Sequence, residues 1–212
     1  QVVTIAALDL QVAFDAGDEV PLTPAGTPGH QIWSQFTADG DSIVFAGGAV
    51  AGGATAVWMV GAVGGEATEI WRTEDEVVAP SRSPTGARLA YVLRSWSTLE
   101  IVDLAAESVT TSIEGVTIAR FSPVADRIAM VLNGDLWVVD GDGTNLTFVA
   151  DGGQYGFTVR NLAWSPDGEW VVVHAPVNLY AWSGPLVLVE IATGLTLPLG
   201  YREDVSQASW SP

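Results

Sequence analysis

The 212-residue sequence contains no cysteine, which excludes a disulfide framework and any thiolate metal site and leaves the redox compartment open. It contains no lysine either: its eight basic residues are all arginine, set against 25 acidic ones, for a formal net charge of −17. That field repels a phosphate backbone and an anionic bilayer surface, so neither nucleic acid nor a membrane surface is expected as a partner. The acidity itself serves solubility, with a basic partner or a salt-rich habitat as the alternatives. Charged residues make up only 16% of the chain and hydrophobic ones 48%, the reverse of a disordered composition. No run approaches the ~20 consecutive apolar residues a spanning helix needs, so no direct membrane insertion is expected. The opening Gln1-Val2-Val3-Thr4-Ile5 has no Met and no basic region; any signal peptide is expected to have been removed already.

What the chain does contain is a repeat. Phe36-Thr37-Ala38-Asp39-Gly40, Arg82-Ser83-Pro84-Thr85-Gly86, Phe121-Ser122-Pro123-Val124-Ala125-Asp126 and Trp164-Ser165-Pro166-Asp167-Gly168 align, and Trp210-Ser211-Pro212 opens a fifth copy. The Ser/Thr positions 37, 83, 122, 165 and 211 lie 46, 39, 43 and 46 residues apart, the period of a four-stranded propeller blade. Pro presets φ at the second turn position, Asp suits the third, and Gly accepts the left-handed conformation that closes a hairpin. Alternating apolar residues follow each turn, as a half-buried strand requires. A second hairpin follows in every repeat: 57–60 through Gly64-Gly65 to 67–70, 100–104 to 109–113, 136–139 through Asp140-Gly141-Asp142-Gly143 to 145–148, and 186–189 through Thr193-Gly194 to 195–197.

The run Leu162-Ala163-Trp164-Ser165-Pro166-Asp167-Gly168, with the Leu136-Trp137-Val138-Val139-Asp140-Gly141-Asp142-Gly143 hairpin, resembles the TolB-type propeller repeat. The likeness extends over nearly the whole chain. Repeat one departs from it with Thr37-Ala38 for Ser-Pro, and repeat two with Arg82 in place of the aromatic. Repeat three has Val124-Ala125-Asp126 for Asp-Gly, which predicts a turn one residue longer. No Trp-Asp dipeptide closes a blade, unlike WD repeats. The fold class expected is all-β, a single β-propeller domain over residues 1–212 built of four-stranded antiparallel blades. Residues 2–6, 10–14 and 19–23 read as the second, third and fourth strands of a blade whose first strand is 205–212. The blades are then 205–212 plus 1–23, 32–71, 77–113, 116–149 and 160–199, a closed five-bladed ring. The alternative is a fragment of a six- or seven-bladed ring, six being the number that the resemblance implies.

In such a blade the turns between strands one and two and between three and four share one face of the disc and are short here. The remaining connections share the other face, and long ones are expected at 24–31, 46–55, 92–98, 150–160, 174–184 and 200–206. They carry His30, Trp96, Tyr155, Phe157, His174, Tyr180, Trp182, Tyr201 and Arg202. Loops on a rigid scaffold concentrate binding residues, and aromatics with Arg are common interface anchors. The binding candidates are therefore Trp96, Tyr155, His174, Tyr180, Trp182, Tyr201 and Arg202, weighed against plain packing of the blade tops.

Catalytic patterns are scarce. No Gly-x-Ser-x-Gly elbow, Walker motif or dinucleotide glycine motif occurs, and His30 and His174 are the only histidines available for a triad. Asp140-Gly141-Asp142-Gly143-Thr144-Asn145 begins like a calcium loop but has no Gly at its sixth position and no Glu at its twelfth. It reads as a hairpin turn. Asn145-Leu146-Thr147 is formally a glycosylation sequon. No cofactor, metal site or catalytic residue is expected. The resemblance implies a periplasmic or otherwise extracytoplasmic protein-binding or scaffold module, a subunit or accessory of a larger complex. The rival readings are a propeller attached to a prolyl oligopeptidase-type hydrolase and a propeller enzyme with a metal held by channel carboxylates.

Overall fold

The computed structural model describes residues 2–6, 9–13, 19–22, 30–48, 53–153, 157, 162–174 and 186–199. Among them every regular element is a strand. The first three, β1 (Val2–Ala6), β2 (Asp9–Ala13) and β3 (Glu19–Pro21), form a three-stranded antiparallel sheet in chain order. Four four-stranded sheets follow, each an antiparallel meander. The second sheet holds β4 (His30–Phe36), β5 (Ser42–Gly48), β6 (Ala56–Gly61) and β7 (Thr68–Arg72). The third holds β8 (Val77–Arg82), β9 (Arg88–Leu93), β10 (Thr98–Asp103) and β11 (Ser108–Glu114). The fourth holds β12 (Val116–Phe121), β13 (Arg127–Leu132), β14 (Asp135–Asp140) and β15 (Thr147–Ala150). The fifth holds β16 (Leu162–Trp164), β17 (Trp170–His174), β18 (Leu186–Glu190) and β19 (Thr196–Leu199). The segment 205–212, expected to complete the first sheet, lies outside the described residues.

The first strands are innermost: β4 touches β8, β8 touches β12 and β12 touches β16, while β1 and β2 lie against β4. The core therefore sits between sheets. Along β13, Ile128, Met130 and Leu132 join the cluster shared with the third sheet, while Ala129 and Val131 join the one shared with the fifth. β5 alternates in the same way, Ile43 and Phe45 packing with Leu22 and Val44 and Ala46 packing with Leu89 and Tyr91. Successive side chains of a strand point to opposite faces, so a strand buried on both sides reads as an unbroken apolar run, and only its position between two sheets explains it.

The Ser/Thr-led turns close by one recurring pattern. The main-chain N–H of Thr37, Ser83, Ser122 and Ser165 donates to the carbonyl of Ser42, Arg88, Arg127 and Trp170 at 2.8–3.0 Å. The turn of repeat three is therefore the same length as the others, contrary to the expectation of one residue more. Without Gly, it closes by donating Arg127 N–H to the Ala125 carbonyl at 2.8 Å. Arg82, standing where the other repeats have an aromatic, folds over its own turn: Nε donates to the Gly86 carbonyl at 3.0 Å and a terminal nitrogen meets the Met59 sulfur at 3.2 Å.

Thr37, Thr144 and Ser165 each donate a hydroxyl to the aspartate two positions from them, Asp39, Asp142 and Asp167. These hydrogen bonds, with further ones from the main chain, hold all three carboxyls below the usual aspartate range. A folded-state pKa below the unfolded one adds stability above the unfolded value, and that stability is lost as pH falls through the folded one. Asp167→Asn should therefore melt below the parent at pH 7, and thermal scans should show the deficit closing below about pH 4. A deficit that stays constant through that range would mean the carboxylate charge plays no part.

Adjacent sheets are also joined at their rims. Gly65 N–H donates to the Leu22 carbonyl at 2.9 Å, and the Thr111 hydroxyl donates to the Asp142 carbonyl at 3.2 Å. The Gly194 turn comes so close to β15 that a Cβ there would lie 2.3 Å from the Val149 carbonyl oxygen. Farther in, Trp71 Nε1 donates to the Tyr91 hydroxyl at 2.8 Å, and that hydroxyl donates to Glu100. Burial first, then the Glu100 contact, raises the Tyr91 pKa, so the phenol stays protonated and links the second sheet to the third.

Candidate interaction face and central channel

The connection expected to be long at 92–98 is a four-residue turn, 94–97, because β9 runs through Leu93 and β10 starts at Thr98. This turn is tied to the segment leading into β8. Arg94 N–H donates to the Glu76 carbonyl at 2.9 Å, its guanidinium pairs with the Glu76 carboxylate at 2.7 Å, and the Ser95 hydroxyl donates to Asp75 at 2.7 Å. Ser97 takes a left-handed φ of 46°. At the tip of this braced turn Trp96 is 73% exposed. An indole in water on a fixed backbone is no part of the core.

Of the other candidates, only His174 lies among the described residues. His174 is the last residue of β17 and is 1% exposed. Strand alternation places it with Val172, opposite the face on which Val171 and Val173 join the fourth sheet's core. Phe157 is core as well, packed in that cluster, with its N–H donating to the Gly134 carbonyl at 2.7 Å. Tyr155, Tyr180, Trp182, Tyr201 and Arg202 lie outside the described residues. On the short-turn face a cleft of about 540 Å3 runs between the fourth and fifth sheets, with Asp140, Glu169 and Glu190 around Arg127. The Asp140–Asn145 turn there is a closed hairpin: Gly143 N–H donates to the Asp140 carbonyl, and Asn145 caps the Asp140 carboxylate at 2.7 Å.

Sequence reasoning passed over two residues of the inner strands. Trp33 sits on β4, where the register shifts between Ile32 and Gln35, and has a left-handed φ of 58°. Ala79, at the same place in β8, has φ 52° beside a like shift. The bulge turns the Trp33 ring so that it packs against three of the four core clusters, reaching those of the third, fourth and fifth sheets. It therefore crosses the space between the inner strands. The second residue is Arg120, next to last in β12, whose guanidinium donates to the Pro80 carbonyl of β8 at 3.3 Å while its own carbonyl accepts from Trp164 Nε1 at 2.9 Å. The available signal was positional: counted back from the turn, Arg120 occupies the place of Gln35, Ser81 and Ala163.

Comparison with solved structures decides the architecture. A protein designated TolB from Agrobacterium tumefaciens superposes with a TM-score of 0.73 at 16% identity, over 99% of this chain and 81% of that one. The fold is that of a TolB-type β-propeller. TolB from Acinetobacter baumannii gives 0.71 at 17% identity, over 91% of this chain and 49% of that one. Hydrazine synthase of Kuenenia stuttgartiensis gives 0.59 at 18% identity, over 78% and 48%. No protein-family model matches the chain, and no curated protein matches it in sequence. In propeller terms, β4, β8, β12 and β16 line the central channel, Trp33 packs among the cores beside it, and Trp96 stands on the face of the blade-to-blade connections.

Proposed function

We propose that this propeller is a non-enzymatic protein-binding module that works as a subunit or accessory of an extracytoplasmic complex and meets its partner through the face carrying Trp96. The observation that carries the reading is Trp96 itself, 73% exposed on a turn held by an ion pair and two further hydrogen bonds. A rigid aromatic loses little entropy on binding. The likeness to TolB structures supports a binding role and, through that family, a location outside the cytoplasm. His174, buried at a strand end, is poorly placed to reach a substrate, and the sequence has no nucleophile elbow.

The test is affinity capture from the native source, comparing the parent protein with Trp96→Ala. With its side chain in water, Trp96 contributes little to folding, so the variant should melt within about 1 °C of the parent, as substitutions at exposed positions usually do. It should lose at least about tenfold in retention of a reproducibly captured protein, the effect of one interface anchor. Undiminished capture by Trp96→Ala would move the interface elsewhere. Hydrolase activity in the purified chain would defeat the binding-module reading.

A further inference from the structure

We propose that the free edge of β11 takes up an extended segment of a partner protein as an added β-strand, and that this segment carries Lys or Arg at both ends. β11 (Ser108–Glu114) ends the third sheet and, among the described residues, pairs with β10 alone. An outermost strand presents a row of unpaired N–H and C=O groups, and folded proteins blunt such edges with brevity, charge or proline. In the four-stranded sheets, the other outermost strands are blunted in these ways. β15 and β19 run for four residues each, and β19 has Pro198 within it. β7 has five residues and carries the Glu69–Arg72 ion pair. β11 has seven residues, with neither proline nor a cation, and its only charge is the terminal Glu114. Val109, Thr110, Thr111 and Ile113 are β-branched, the type a pleated strand favours. The register with β10 shifts once, at Thr110, and Thr111–Glu114 then pairs without a break with Thr98–Ile101.

The strand lies open to water: Ser108, Val109, Thr110, Ser112 and Glu114 are all exposed. Charge selects what can pair there. Glu107 precedes the strand and Glu114 closes it; both are exposed, and neither forms an ion pair among the described residues. Antiparallel pairing of two copies would bring each Glu114 to the Glu107 end of the other strand. It would also bring together two chains of net charge −17. Like charges placed opposite each other destabilise a ladder, so the occupant is not a second copy. A partner strand with a cation at each end meets a carboxylate at both, and the field of the whole chain draws it in. Main-chain hydrogen bonds then supply the affinity, and side chains the choice of partner. The edge is a second surface, because Trp96 stands on the turn before β10 and the pairing does not need it.

The experiment follows the backbone amide resonances of the intact chain during titration with capped octapeptides. One alternates Thr and Val between two terminal Lys residues. Another has Glu in place of both Lys, and a last one is the Lys-ended peptide with every central amide N-methylated. The expected result is a saturable shift centred on residues 108–114 with the Lys-ended peptide. The Glu-ended peptide should bind at least about tenfold more weakly, since both end pairs change sign. The N-methylated peptide should give no shift, having no main-chain donors to offer an edge. In the double variant Glu107→Lys/Glu114→Lys the preference between Lys and Glu ends should reverse, and both positions are in water, where substitutions are tolerated. No saturable shift, shifts centred elsewhere, equal binding of the Lys- and Glu-ended peptides, undiminished binding of the N-methylated one, or an unreversed preference would overturn the proposal. So would a dimer of the free chain joined through β11, read by sedimentation and by hydrogen exchange of the β11 amides, because a second copy would then be the occupant. Should the double variant fail to fold, the peptides on the parent chain decide alone.

Discussion

Trp33→Ala is expected to lower the stability of the propeller by about 3–5 kcal/mol, read as a shift in the midpoint of urea unfolding followed by far-ultraviolet circular dichroism. The size follows from where the ring sits. A core residue of a single interface joins two sheets, whereas Trp33 packs against the clusters of three interfaces at once. Although the ring is only partly buried, its removal strips contacts from all three, where rigid strands from several blades cannot collapse inward together. The shape of the transition should change as well. Stacked repeats that touch only their neighbours unfold as loosely coupled units, and a shared central plug ties non-adjacent blades into one transition. Trp33→Ala should therefore broaden the curve and lower its m-value. Trp33→Phe, which keeps an aromatic across the channel, should recover part of the loss. A stability change below about 1 kcal/mol, the scale of ordinary surface substitutions, would show that the ring does not hold the axis.

Gly194→Ala is the second large effect, and Gly40→Ala is its internal control. Both glycines adopt nearly the same left-handed backbone, with φ of 72° and 74°, so both substitutions carry the same conformational cost of about 1–2 kcal/mol. Only their surroundings differ. Nothing lies within 4 Å of a Cβ at Gly40, while at Gly194 the Val149 carbonyl oxygen is 2.3 Å away. That oxygen belongs to a strand paired within its own sheet, and no rotamer change can move it. Gly194→Ala must push two blades apart at the rim, and about 2–4 kcal/mol of total destabilisation is expected, the range for overpacking added to backbone strain. Equal melting temperatures for the two variants would refute the contact between neighbouring blades.

How far the sequence discloses this structure depends on how local each interaction is. The meander and its turns were legible because the chemistry that makes them lies within five residues: Ser165 bonds Asp167 and Trp170, Thr37 bonds Asp39 and Ser42. The turn of repeat three misled because Val124-Ala125-Asp126 in place of Asp-Gly resembles an insertion, yet Ser122 to Arg127 spans as many residues as the other turns. Trp96 could be marked as a loop aromatic and is exposed on a turn, but the brace to Asp75 and Glu76 connects separate hairpins and has no sequence signature. Phe157 and His174 fall in the same set of expected loops and are buried. Trp33 and Arg120 were invisible for the same reason on a larger scale. Arg120 meets Pro80, forty residues away, and Trp33 owes its direction to a bulge that no residue type announces.

Among the described residues, strand order within each sheet follows chain order without a crossover. The ladders among these residues therefore form between strands consecutive in the chain, at modest loop-closure cost, and each meander can zip up as soon as its last strand leaves the ribosome. Side-by-side docking of finished sheets, with Trp33 waiting on the second of them for strands synthesised much later, is then the step that sets the pace of maturation.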